Sequence, residues 1–93
     1  MIRSFSDKET ATIYRSERAR TLPQEIQSRA NMKLTNIDQA TQLEQLALPP
    51  SSRLEALAGK LNGFWSIRVN QQWRIIFRWS GDDAHDVKIT DYH

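Results

Sequence analysis

The sequence closes on Asp91-Tyr92-His93, a carboxylate, a phenol and an imidazole in consecutive positions. All three can move a proton or stabilise charge. An imidazole titrates near pH ~6.5, which suits general acid or base work at neutral pH. Upstream, Arg68, Arg74, Arg78 and Lys88 recur within segments that alternate polar and apolar residues. A guanidinium fork matches phosphate geometry and keeps its charge at any physiological pH. Cations, a phenol and an imidazole, with no metal, fit RNA cleavage in which the ribose hydroxyl attacks its own phosphodiester. The protein then has to stabilise the pentacovalent charge. The competing reading is a frayed terminus whose histidine is inert. Against it, the strand pattern runs through Ile89 and ties the end of the sequence to a sheet.

No other constellation carries chemistry as directly. There is no GxGxxG, no GxxxxGK[ST] and no HExxH. Asp82-Asp83 reads as turn chemistry, and Ser51-Ser52 has no histidine nearby in the sequence. The absence of cysteine removes disulfides, thiolate metal sites and a cysteine nucleophile. His85 and His93 are too few for an all-histidine metal cage, and no cofactor is expected.

The elements that must position these groups are legible from punctuation. Ninety-three residues make one domain, residues 1–93. Glycine is absent before position 59, and the β-branched and aromatic clusters gather in the second half. That order predicts helices first and strands second, an α+β fold with N-terminal helices packed on one face of an antiparallel sheet. Ile2–Phe5 reads as a short strand. Ser6 and Glu9 form a capping box for a helix from Asp7 to Ala19. Pro23 opens a second helix with a stripe of Ile26, Ala30, Leu34 and Ile37. Asp38 caps a third, short helix carrying Ala40, Leu43 and Leu46, which Pro49-Pro50 ends. Strands follow over 53–57, 64–69, 72–80 and 84–92. Trp73, Ile75, Phe77 and Trp79 share one face, and so do Val87, Ile89 and His85.

The opposite face then collects Arg53, Arg68, Arg74, Arg78 and Lys88 around Ser66, Thr90 and Tyr92, with Glu55 and Asp86 as the only acids. Five cations on one face suit a polyanion better than the whole-chain balance of 13 basic against 11 acidic residues. A merely solvated basic face is equally compatible with the pattern, since cross-strand Arg–Glu pairs contribute only ~0.2–1 kcal/mol each. The longest apolar runs are far short of a membrane span. The opening residues lack a signal-peptide core, so a cytoplasmic location is expected.

The residues also carry a resemblance. Pro49-Pro50, Arg53-Leu54-Glu55-Ala56-Leu57, Gly59, Trp65-Ser66-Ile67-Arg68-Val69-Asn70, Gln72-Trp73-Arg74, Phe77-Arg78-Trp79 and the closing Asp91-Tyr92-His93 together resemble the HigB toxins of bacterial type II toxin–antitoxin systems. These belong to the RelE/ParE superfamily. The resemblance implies a strongly curved antiparallel sheet and a ribosome-dependent mRNA endonuclease working in the A site. It implies a HigA-like helix-turn-helix antitoxin as partner, with operator DNA reached only through that antitoxin. Carried over, Arg74 stabilises the phosphate and Asp91, Tyr92 and His93 complete the site. Arg53, Lys60, Arg68, Arg78 and Lys88 grip RNA. The chain departs from the pattern at Glu55, where some members carry histidine. It departs again at Ala58, where many carry lysine; Lys60 is two positions on. The superfamily also holds toxins that bind DNA gyrase and cut no RNA, and a partner protein that only binds its antitoxin is a third reading. The Asp-Tyr-His ending favours the nuclease.

Overall fold

A computed structural model describes residues 1–91. Helix α1 spans Lys8–Tyr14 and α2 spans Gln24–Gln39. Strands β1 (Glu55–Ala56), β2 (Phe64–Arg68), β3 (Trp73–Ser80) and β4 (Asp83–Asp91) form an antiparallel sheet in sequence order. The α+β expectation holds, with both helices on one face of the sheet.

The α2 stripe forms as the spacing requires. Ile26, Ala30, Leu34 and Ile37 are all buried, and they meet Ile67, Ile75, Phe77, Val87 and Ile89 from the sheet. Phe77, at the centre of β3, is fully buried, and Trp79 packs edge-on to it at 6.4 Å. Trp73 and Trp79, nearer the strand ends, are half-buried.

The boundaries of the first helices differ from expectation. Asp7, not Ser6, caps α1, its carboxylate accepting from the Thr10 N–H at 2.9 Å. The helix stops at Tyr14, and Ser16 then turns through φ 63°. Asp38 starts no helix. It lies inside the last turn of α2 and accepts from the Ile2 N–H at 2.8 Å. It also bonds the Tyr14 phenol, which raises that hydroxyl's pKa. One carboxylate therefore joins the N-terminal segment and α1 to α2. Leu43–Ala47 is a 3-10 turn capped by Gln42. The strand expected at 53–57 shrinks to two residues, because Arg53 adopts φ 48° at the end of a 3-10 turn over Pro50–Ser52.

Residues 2–5 do join the sheet, as a broken parallel edge beside β4, bridged at Ile2–Ala84 and Phe5–Val87. An uncovered edge would leave a row of unpaired backbone groups. Here Ala84 and Val87 exchange bonds with residues 1–6, and the Ile89 N–H donates to the buried Thr10 hydroxyl at 2.9 Å. The edge is locked by charge at its start. The Met1 ammonium (3.4 Å) and Arg3 (3.1 Å) both reach Asp83. The hydrogen bond from Arg3 holds the Asp83 carboxyl below the ordinary carboxylate range.

Two outcomes follow from this edge. Thr10→Val keeps the shape but strands the buried Ile89 N–H, and should destabilise by about 1–3 kcal/mol, read as a lowered thermal midpoint. Asp83 has a depressed folded pKa. Its stabilisation is therefore present above the unfolded carboxylate pKa of about 3.9 and is lost as pH falls further. The difference in midpoint between wild type and Asp83→Asn should shrink between pH 5 and pH 2 in parallel melts.

Candidate active site on the outward sheet face

Residues directly opposite one another on neighbouring strands share a face, so the register assembles the site in rows. Phe64, Arg78 and His85 form one row. Glu55, Ser66, Ile76 and Lys88 form the next. Arg68, Arg74 and Thr90 form a third. Ser66 and Ile76 are buried although they point away from α2. The middle row is thus a floor between two rows that carry guanidinium groups.

A one-residue bulge sets the composition of the first row. Ile76 faces Lys88 but Arg78 faces His85, so Asp86 and Val87 together oppose Phe77. Asp86 takes φ 53°, a left-handed conformation that aspartate tolerates better than most residues. Ser4 and Ser6 fix it. The Asp86 N–H donates to Ser4 Oγ at 2.8 Å, and Ser6 Oγ donates to the Asp86 carbonyl at 2.9 Å. His85 was expected beside Val87 and Ile89. The bulge moves it to the arginine face and puts Ala84 in the core instead.

Arg74 is an enclosed cation, its side chain only 17% exposed. Nη1 donates to Ser66 Oγ at 3.2 Å and lies 3.8 Å from Glu55 Oε2. Arg68 stands directly across from it, a like-charge pairing that is unfavourable in a sheet. Arg68 turns its Nε to the Asn70 carbonyl at 3.0 Å. The register thus sets two arginines opposite one another at this end of the face, and a guanidinium fork such as that of Arg74, beside the half-exposed Glu55, matches the oxygens of a phosphate.

The remaining expected residues are distributed unevenly. Arg78 lies 4.8 Å over the Phe64 ring and pairs with Asp86 at 3.4 Å. Lys88 is exposed beside Ile76. Arg53 is exposed but belongs to no strand, and Lys60 is exposed in a 3-10 turn over Gly59–Leu61. Asp91 reaches the same end of the sheet as Arg74, but it pairs with Trp73, so alternation sets it on the other face. Gln72 Nε2 donates to its Oδ2 at 2.9 Å. Tyr92 and His93 lie outside the described residues. Among the described residues, no group of acids and histidines is placed to hold a metal ion.

The chain matches, over residues 3–93, the family described as the RelE-like toxin of type II toxin–antitoxin system HigB. It belongs to the HigB-like toxin family. Among HigB relatives, it is 40% identical to Toxin HigB-1 of Vibrio cholerae over 80 residues, covering 85% of this chain and 84% of that protein. It is 33% identical to Endoribonuclease HigB of Proteus vulgaris over 93 residues, the whole of both chains. The fold recurs in solved toxins of low identity. A YafQ mutant from E. coli superposes with a TM-score of 0.64 at 14% identity, covering 98% of this chain and 91% of that one. The YoeB dimer from Staphylococcus aureus gives 0.60 at 18% identity, covering 99% and 97%. These likenesses establish the RelE/ParE fold for this HigB-family chain.

Alternation alone suggests an exposed Arg74 whose removal is nearly free, whereas the structure covers its guanidinium and engages it with a buried serine. Arg74→Ala should therefore lower stability by about 1–3 kcal/mol, the range for a buried polar partner left behind. Chemical denaturation of both proteins measures this.

Proposed function

We propose that this HigB-family toxin is a metal-independent endoribonuclease that cuts mRNA on the translating ribosome, in the A site. Its partner is an antitoxin, and we infer a HigA-like helix-turn-helix protein that carries the DNA contacts of the complex. The action belongs in the cytoplasm, where mRNA is translated.

The observation that carries this reading is the Arg68–Arg74 pair over Ser66. A guanidinium already desolvated and oriented acts on developing charge without reorganising. In the proposed reaction the ribose 2′-hydroxyl loses its proton to a general base and attacks the adjacent phosphorus. The bond to the 5′-oxygen breaks, and a general acid protonates that oxygen. The products are a 2′,3′-cyclic phosphate and a 5′-hydroxyl. Arg74 stabilises the phosphorane oxygens, Tyr92 and His93 supply proton transfer, and Asp91, which alternation sets on the other face of β4, has an orienting role rather than a direct one. Arg53, Lys60, Arg68, Arg78 and Lys88 neutralise the RNA backbone on either side. The full-length relative named Endoribonuclease HigB supports this over a gyrase-binding or antitoxin-binding protein without nuclease activity. The sheet face offers few base-reading groups, so the ribosome must present the substrate.

Expression without antitoxin should arrest growth. Primer extension on cellular mRNA should show cuts confined to translated codons, with purified toxin leaving naked mRNA intact. Deleting His93 should suppress both cutting and arrest while leaving the thermal midpoint nearly unchanged. Normal growth and uncut mRNA with soluble wild-type toxin present would contradict the reading.

A further inference from the structure

A second cluster of cations adjoins the site described above and shares Arg68 with it. Arg29 and Lys33 stand four residues apart on α2 and line a cavity of about 500 Å³ together with Arg68 and Ser51. Like charges at this helical spacing are unfavourable. Lys33 is also only 6% exposed, and lysine is almost never fully buried unless it is paired. Among the described residues, none of the three cations has a carboxylate within ion-pair range. Each spends one donor on a neutral acceptor. Lys33 Nζ donates to the buried Ser52 Oγ at 2.6 Å, Arg29 Nη1 to the Val69 carbonyl at 3.3 Å, and Arg68 Nε to the Asn70 carbonyl at 3.0 Å. The side chains are thereby fixed, and most of their N–H groups are left to serve a ligand. Burial and the neighbouring Arg29 both depress the Lys33 pKa, the mark of a cation set in a dry, positive place.

We propose that this cavity is a second phosphate seat, which takes a backbone phosphodiester of an RNA strand away from the bond being cut. Three observations favour RNA backbone over other anions. Arg68 belongs both to this cavity and to the row that holds Arg74, so one strand can run from one seat to the other. The remaining wall includes Met32 and Pro49, which suit a ribose. Among the described residues no aromatic side chain lines the cavity, so they offer no platform for base stacking and suit backbone rather than sequence reading. The inference rests on the RNA-cleaving reading above and extends it to two residues of α2.

The test uses a fluorescent 2′-O-methyl RNA dodecamer, which lacks the attacking hydroxyl and cannot be cut. Its binding to the full chain is measured by anisotropy across a potassium chloride series. Arg29→Gln and Lys33→Met should each weaken binding about tenfold or more, as expected for losing a charged hydrogen bond. Each should also reduce the slope of log affinity against log salt by about 0.7. Lys8→Gln, on the exposed side of α1, should change neither. Arg29 is exposed, so its variant tests the idea even if Lys33→Met folds poorly. Unchanged affinity and slope in Arg29→Gln, with binding still lost in Arg74→Ala, would overturn the second seat and leave the nuclease reading standing. Tighter binding of an oligoglutamate of equal charge, with the same dependence on Arg29, would overturn it in favour of a protein carboxylate. No binding of the RNA to wild type at low salt would also overturn it, while the mRNA-cutting assay judges the nuclease reading separately.

Discussion

The side-chain period of two along β3 is the constraint on which the rest depends. Ile75 and Phe77 point to α2 and build the core, while Arg74, Ile76 and Arg78 point the other way. A one-residue slip would bury the arginines and expose the core. The register of β3 is therefore held by the whole hydrophobic contact with α2, and Arg74 inherits that rigidity. Its guanidinium is aimed by the packing of residues on the far side of the sheet.

That rigidity is broken once, deliberately placed next to the site. The bulge at Asp86 changes which residues of β4 face outward, and Ser4 and Ser6 hold it in place. The N-terminal segment thus has two roles. It covers an otherwise open sheet edge, and it fixes the bulge that brings His85 and the Asp86–Arg78 pair to the outward face. Asp38 and Asp83 anchor this segment at separate points, so the end of the chain most remote in sequence from the arginines helps to shape their surroundings.

Much of this was legible in the sequence, for physical reasons. Long periodic elements such as α2 and β3 announce themselves because many residues must agree. The resemblance carried by Gln72-Trp73-Arg74 and Asp91-Tyr92-His93 led to the correct family. The errors fall where a single tertiary contact outweighs a local signal. Ser6 and Glu9 looked like a capping box, but Ser6 is drawn to the Asp86 carbonyl and Asp7 takes the cap. Asp38 looked like a helix start, but the Ile2 N–H and the Tyr14 hydroxyl employ it from within α2. His85 was assigned to the core face because a bulge has no reliable signature in one strand alone. Lys33 carries no motif, yet its spacing from Ile26, Ala30 and Ile37 sets it on the buried stripe. A lysine on an apolar stripe was the available sign of a charge held for a purpose.

The central claim is that Arg74, enclosed and oriented over Ser66, stabilises charge on the phosphate as RNA is cut. The most direct measurement is the single-turnover rate of cleavage of a ribosome-bound mRNA by wild type and by Arg74→Ala, each confirmed folded under the assay conditions, with the chemistry of the new ends determined. The account predicts 5′-hydroxyl ends and a rate lower by roughly 10²–10³ in the variant, the scale of losing one preorganised charge-stabilising donor. A folded Arg74→Ala protein that cuts at the wild-type rate would contradict it.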